Sequence, residues 1–205
     1  MPKTQDTKNI ILEHAKKLFS EKGYYDTQIS DIINSAKIGR GTVYQYFANK
    51  ETIFMTLLES FYDEWQKSVE INLSADEMKN ITAVSYFRHR IRQTLLFLAN
   101  DQERTHLILR TGIGLGGDFE SFISRFEKKI TLMVNNDLKL GIKNGFLKPD
   151  LDTEFASNLI AGGILRIAYF YFVSKNRQCN AKNIDIITDK ILDMYVPGIF
   201  LEKSY

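Results

Sequence analysis

Residues 27–50, TQISDIINSAKIGRGTVYQYFANK, read as two short helices joined by a tight turn. Thr27 is placed to cap the first helix, whose inward face is Ile29, Ile32, Ile33 and Ala36. Lys37-Ile38-Gly39 makes the turn, and the next helix runs from about Arg40 to Phe47. No acidic residue lies between Asp31 and Glu51, while Lys37, Arg40 and Lys50 fall in that interval. A compact helical pair with a locally basic, hydrogen-bonding face has the form of an element that enters the DNA major groove.

At about 100° per residue, with the inward direction midway between Val43 and Phe47, Gln45 points almost directly outward. Gly41 and Thr42 flank it, and Tyr44 and Tyr46 lie on the shoulders, each roughly 80° from the buried direction. Gln45 and Thr42 are therefore the expected base readers, with the glutamine amide matched to adenine and the threonine methyl to thymine. Gly41 allows close approach. Tyr44, Tyr46, Arg40, Lys50 and the helix start at Thr27 are assigned to phosphates, and Lys37 adds positive charge near the DNA backbone. The alternative is one more helical hairpin with a solvated polar face. The acid-free interval, the two outward tyrosines beside a glycine and the very short second helix weigh against it.

Upstream, Ile11, Leu12, Ala15, Leu18 and Phe19 form one helical stripe, and Gly23 stops it. Downstream, Asn49 caps a long helix with Glu51 in its first turn and apolar positions from Ile53 to Trp65. Further helices are expected at roughly 76–99, 102–113, 118–144, 153–175 and 182–201. Asp152 caps the fourth of these, after a break bracketed by Gly145 and Pro149. The glycine cluster 112–117 reads as a hinge or helix end, because no Gly-Lys-Ser/Thr ending makes it a phosphate loop. With three prolines in 205 residues the fold class is all-α, about nine helices.

The net charge of +2 is too small for the whole surface to bind a polyanion, so any nucleic-acid affinity is local. Residues 155–173 approach membrane-spanning length, but Arg166 near the middle favours a helix buried in protein, and no membrane partner is expected. The start of the chain shows no secretory signal. One cysteine, Cys179, excludes an intrachain disulfide, and with no metal-ligand cluster or cofactor motif a cytoplasmic setting is expected. His14, His89 and His106 stand apart from any nucleophile motif, so no catalytic site is assigned.

From Ile10 to about Leu58 the chain resembles the DNA-binding head of the tetracycline-repressor (TetR) family of bacterial regulators. The resemblance is carried by Ala15, Phe19, Gly23, Thr27, Ile32, Ala36, Ile38, Gly41, Thr42, Tyr44, Tyr46, Phe47, Lys50 and Glu51, without a gap. Lys37 stands where the family usually has glycine. A second echo is Gly145-Phe146-Leu147-Lys148-Pro149-Asp150. The resemblance implies a helix-turn-helix head, 1–48, on a ligand-binding and dimerisation domain, 49–205. It implies a homodimer on a palindromic operator of double-stranded DNA, at the bacterial nucleoid, released by a small apolar or amphipathic effector.

For the dimer seam, the helix at 153–175 is apolar on nearly every side and should be covered all round. Gly162, Gly163, Arg166 and Phe170 are assigned to it, with Ile187, Ile191 and Met194 of the last helix. Burial inside a monomer is the alternative. For the effector, the assigned residues are Tyr62, Trp65, Phe97, His106, Arg110, Phe126 and Tyr169. Aromatics at helical spacing are ordinarily core. Arg88, His89, Arg90 and Arg92 cover more than one helix face and read as mostly solvated surface. The competing function is a helical ligand-binding module whose head no longer reads a DNA sequence.

Overall fold

The computed structural model describes residues 4–70, 81–110, 118–175 and 180–201; side chains at 4, 5, 108, 110 and 118–126 lie outside that description. Among the described residues there are nine helices and no strand. They are α1 (Thr4–Lys22), α2 (Ile29–Ala36), α3 (Arg40–Tyr46), α4 (Lys50–Val69), α5 (Ala83–Asn100), α6 (Gln102–Arg110), α7 (Asp118–Lys143), α8 (Thr153–Ala168) and α9 (Ala181–Ile199). At its end α8 widens into a π-helical turn, Tyr169–Ser174. A single antiparallel bridge joins Leu147 to Phe200.

Two compact units divide these elements: Met1–Glu64 with Asp101–Phe122, and Trp65–Asn100 with Ile123–Tyr205. The boundary expected at 48/49 falls inside the first unit. There, α1 packs on α2 and α6, and Lys16 Nζ reaches Asp101 Oδ2 at 3.0 Å. The α1 stripe holds: Ile11 and Ala15 are fully buried, and Phe19 meets Phe54 edge-on at 5.3 Å. In the second unit, α5 packs on α8 and α9.

Local sequence signals explain most boundaries. Asn49 Oδ1 accepts the Thr52 N–H at 2.8 Å, and Asp152 Oδ1 accepts those of Glu154 and Phe155. Among the described residues α5 begins at Ala83, where the Thr82 hydroxyl accepts the Ser85 N–H at 3.0 Å; the start expected near 76 lies outside the described residues. So do the glycine cluster 112–117 and Cys179. Three helices end on a left-handed residue: Gly23 (φ +85°), Gly145 (φ +72°) and Lys37 (φ +53°). At Lys37 the N–H donates to Asn34 O, and the Ile38 N–H reaches back to Ile33 O, the paired bonds of a Schellman stop. The lysine thus adopts the glycine geometry rather than a different turn.

Candidate nucleic-acid interface and core cavity

The face of α3 is fixed by what its other side buries. Val43 is 0% exposed and Phe47 2%, whereas Gly41, Tyr44 and Gln45 are exposed and Thr42 and Tyr46 half-buried. A Cβ added at Gly41 would meet nothing within 4 Å, so the surface there is open. Arg40 is exposed and stacks over the Tyr44 ring, 5.8 Å from its centroid. Lys37 is exposed at the turn. These seven residues are exposed or half-buried, in contrast to the buried Val43 and Phe47. His14 Nδ1 and Ser35 Oγ share a hydrogen bond of 2.8 Å that locks α2 to α1.

Two residues expected at phosphates do other work. Thr27 is fully buried, and its hydroxyl donates to Gly23 O at 2.7 Å, tying the α1–α2 loop to itself. The α2 cap falls one residue later: the Gln28 N–H donates to Asp31 Oδ2, and Lys22 Nζ lies 3.5 Å from the same carboxylate. Asp31 therefore already occupies the positive end of α2. Lys50 Nζ donates to Tyr24 O at 2.8 Å and Thr27 O at 2.7 Å and sits 4.2 Å above the Tyr24 ring. Burial in this loop pushes its ammonium below the usual lysine range. Its neighbour Glu51 accepts from the Tyr24 hydroxyl at 2.8 Å, and that bond holds the carboxyl below the usual range. Desolvation, with Glu51 beside it, pushes the Tyr24 phenol well up. Lys50 and Glu51 so clamp the α1–α2 loop to the start of α4, which is a positioning role.

In the second unit a cavity of about 60 Å³ opens among α5, α7, α8 and the end of α4. Of the expected effector residues, Trp65 and Phe97 line it; Tyr62, His106 and Tyr169 do not. The side chains of Arg110 and Phe126 lie outside the described residues. Phe87 joins Trp65 and Phe97, with Ile91, Ile130, Met133, Val134 and Ile164, which the sequence reading missed, in an apolar wall interrupted by Thr94, Arg90 and Asp137. The arginines of the basic run on α5 are partly exposed but paired rather than free in solvent. Arg88 pairs with Asp189 at 2.9 Å, Arg92 with Asp185 at 2.7 Å, and Arg90 with Asp137 at 2.9 Å. Burial pushes the Asp137 carboxyl up despite the opposing pull of Arg90.

A separate groove of about 740 Å³ runs between α8 and α9, floored by Gly163, Ile187 and Ile191 and rimmed by Arg166 and Met194. The helix Thr153–Ser174 is long and apolar enough to cross a membrane, but only 39% of its most apolar 18-residue stretch is buried within the chain. Phe155 is 68% exposed and Met194 80%. Ile187 and Ile191 are nearly buried on the groove floor, while Met194 on the rim is exposed. At Gly163 the group that approaches closely is the Tyr195 hydroxyl of the same chain, which an added Cβ would strike. Gly162 is exposed with nothing near its missing Cβ, and Phe170 is 41% exposed.

Residues 11–56 match the model of the tetR family of bacterial regulatory proteins. The chain is 30% identical over 149 residues to the uncharacterised HTH-type transcriptional regulator YhgD of Bacillus subtilis (strain 168), covering 70% of this chain and 73% of that one. It is 26% identical over 146 residues to the HTH-type transcriptional regulator HbdR of Aromatoleum sp. (strain CIB), covering 71% of this chain and 62% of HbdR. Its fold is similar to that of the transcriptional regulator FadR from Bacillus subtilis in complex with stearoyl-CoA, with a TM-score of 0.77, 22% identity and coverage of 93% of this chain and 98% of that one.

Proposed function

Because the chain belongs to the tetR family of bacterial regulatory proteins, we propose that it is a ligand-responsive transcriptional repressor, binding a palindromic operator as a homodimer and leaving it when a small apolar or amphipathic effector binds. The observation that carries this reading is the outward surface of α3: with Val43 and Phe47 buried, Gln45, Tyr44, Thr42, Gly41 and Arg40 are presented together. Gln45 and Thr42 read base edges; Arg40, Lys37, Tyr44 and Tyr46 hold phosphates. Thr27 and Lys50 act from behind, by fixing the loop that presents α2. In this reading 1–48 is the DNA-binding domain and 49–205 the effector and dimer domain, and the protein works as a regulator, not a catalyst, in the cytoplasm at the chromosome.

The apolar groove of α8 and α9, with Phe155 and Met194 unburied, supports a second copy as its cover. Two-fold pairing puts two heads about one helical turn apart on the same DNA face. The wall around Trp65 and Phe97 supports an effector with a hydrocarbon part, in keeping with the stearoyl-CoA held by FadR. Induction is then a population shift: the effector binds the state unsuited to DNA more tightly, and DNA weakens the effector reciprocally. The test is a gel-shift of genomic fragments across a salt series, with random fragments as competitor. A retained set of fragments whose affinity falls steeply with salt is expected. Equal binding to all fragments at every salt concentration refutes the operator reading.

A further inference from the structure

The polar side chains lining the 60 Å³ cavity are already engaged within the protein. Trp65 Nε1 donates to Thr94 Oγ1 at 3.0 Å, and the Thr94 hydroxyl donates to Arg90 O at 2.9 Å. Arg90 spreads its guanidinium over four partners: Nε to the Tyr86 hydroxyl at 3.1 Å, Nη2 to Asp137, and Nη1 to Val69 O at 3.4 Å and Met133 Sδ at 3.5 Å. The Tyr86 hydroxyl in turn donates to Asp137 Oδ1 at 3.1 Å. Side chains of Arg90 and Asp137 are only 19% and 16% exposed. An arginine in an apolar cavity would ordinarily mark an anion site. Here its charge is cancelled and its fork is filled.

We infer that this cavity admits only the uncharged hydrocarbon end of an amphiphile, and that Asp137 sets this specificity by keeping Arg90 from any ligand anion. A carboxylate arriving at the buried end has two options. It stays unpaired among Ile91, Ile130 and Ile164, which is costly for a charge removed from water. Otherwise it displaces Asp137, which is then left buried without its countercharge and with only the Tyr86 hydroxyl donating to it. A methyl end meets neither cost. The empty space is smaller than the roughly 150 Å³ that admits benzene in an engineered apolar cavity, so entry requires the lining to yield. Met133, unbranched and with three rotatable bonds, is the lining side chain built for that.

The inference rests on the cavity being the effector site, and the experiment separates the two. The chain has one tryptophan, and Trp65 lines the cavity, so its emission reports occupancy. The full-length protein is titrated with dodecanoate, with dodecanedioate, which has no uncharged end, and with monomethyl dodecanedioate, which regains one. Dodecanoate and the monomethyl ester should bind within a few-fold of each other, and dodecanedioate at least about tenfold more weakly. In Asp137→Asn, Arg90 gains a free site for the distal carboxylate, and the gap should close or reverse. Equal binding of dodecanoate and dodecanedioate to the unaltered protein overturns the specificity assigned to Asp137 while leaving the effector site standing. No response of Trp65 to any of the three overturns both.

Discussion

Lys37 offers a quantitative test because a side chain occupies a backbone conformation that suits glycine. Its φ of +53° matches the role of Gly23 and Gly145, each at a helix end. A left-handed non-glycine residue costs roughly 1–2 kcal/mol. Glycine loses more freedom on folding, which returns about 0.4–1 kcal/mol of that gain. Lys37→Gly should therefore stabilise the fold by about 0.5–1 kcal/mol, or about 1–4 °C in melting temperature for a chain of this size. Lys37→Ala is the control: it removes the same exposed charge but keeps the Cβ, so the Gly–Ala difference isolates the backbone. Thermal melts at one fixed protein concentration measure it. Both variants should also lose DNA affinity at low salt, with the slope of log K against log salt shallower by about 0.9 per protomer. A glycine variant no more stable than the alanine one would refute the strain argument.

Replacing Gln45 with Ala should relax discrimination between operator variants by about 1–3 kcal/mol while Lys37→Ala weakens all sequences alike; competition gel-shifts distinguish the two patterns. Lys50→Met strips two loop carbonyls of their donor and should cost about 1–3 kcal/mol in a denaturant midpoint, with a parallel loss of operator affinity. Glu51 has a depressed folded pKa, so its contribution is present above the ordinary carboxylate range and lost as pH falls through its folded value. Glu51→Gln should accordingly flatten the acid limb of a stability–pH profile below about pH 4.3, the unfolded value. Met194→Glu puts a charge into the α8–α9 groove rim and should shift sedimentation from dimer towards monomer; an unchanged dimer would exclude this face as the seam.

What the sequence disclosed is what local rules govern. The α3 wheel followed from the 3.6-residue period, and burial of Val43 and Phe47 agrees with it. Caps at Asn49 and Asp152 were legible because a cap bonds two or three residues away. Thr27 misled because a hydroxyl next to a helix start resembles a cap, yet here it donates back to the Gly23 carbonyl. Lys50 looked free because its carbonyl partners lie 23 residues back and more. The run at Arg88–Arg92 read as solvated for the same reason: the mates of Arg90 and Arg92 lie 47 and 93 residues on. Periodicity places a residue on a face but does not say which chain segment covers it. The cavity wall was hidden likewise, since Ile91, Met133 and Ile164 are core residues by any pattern.

The wide turn at Tyr169–Ser174, closed by the Lys175 N–H on Phe170 O, holds one residue more per turn than the α8 it continues. It is the geometry that a one-residue insertion leaves in a regular helix. Because the wide turn takes up its extra residue locally, deleting one residue there should reseal the ordinary ladder and re-aim Phe170 and Tyr171 while α8 before them keeps its facing.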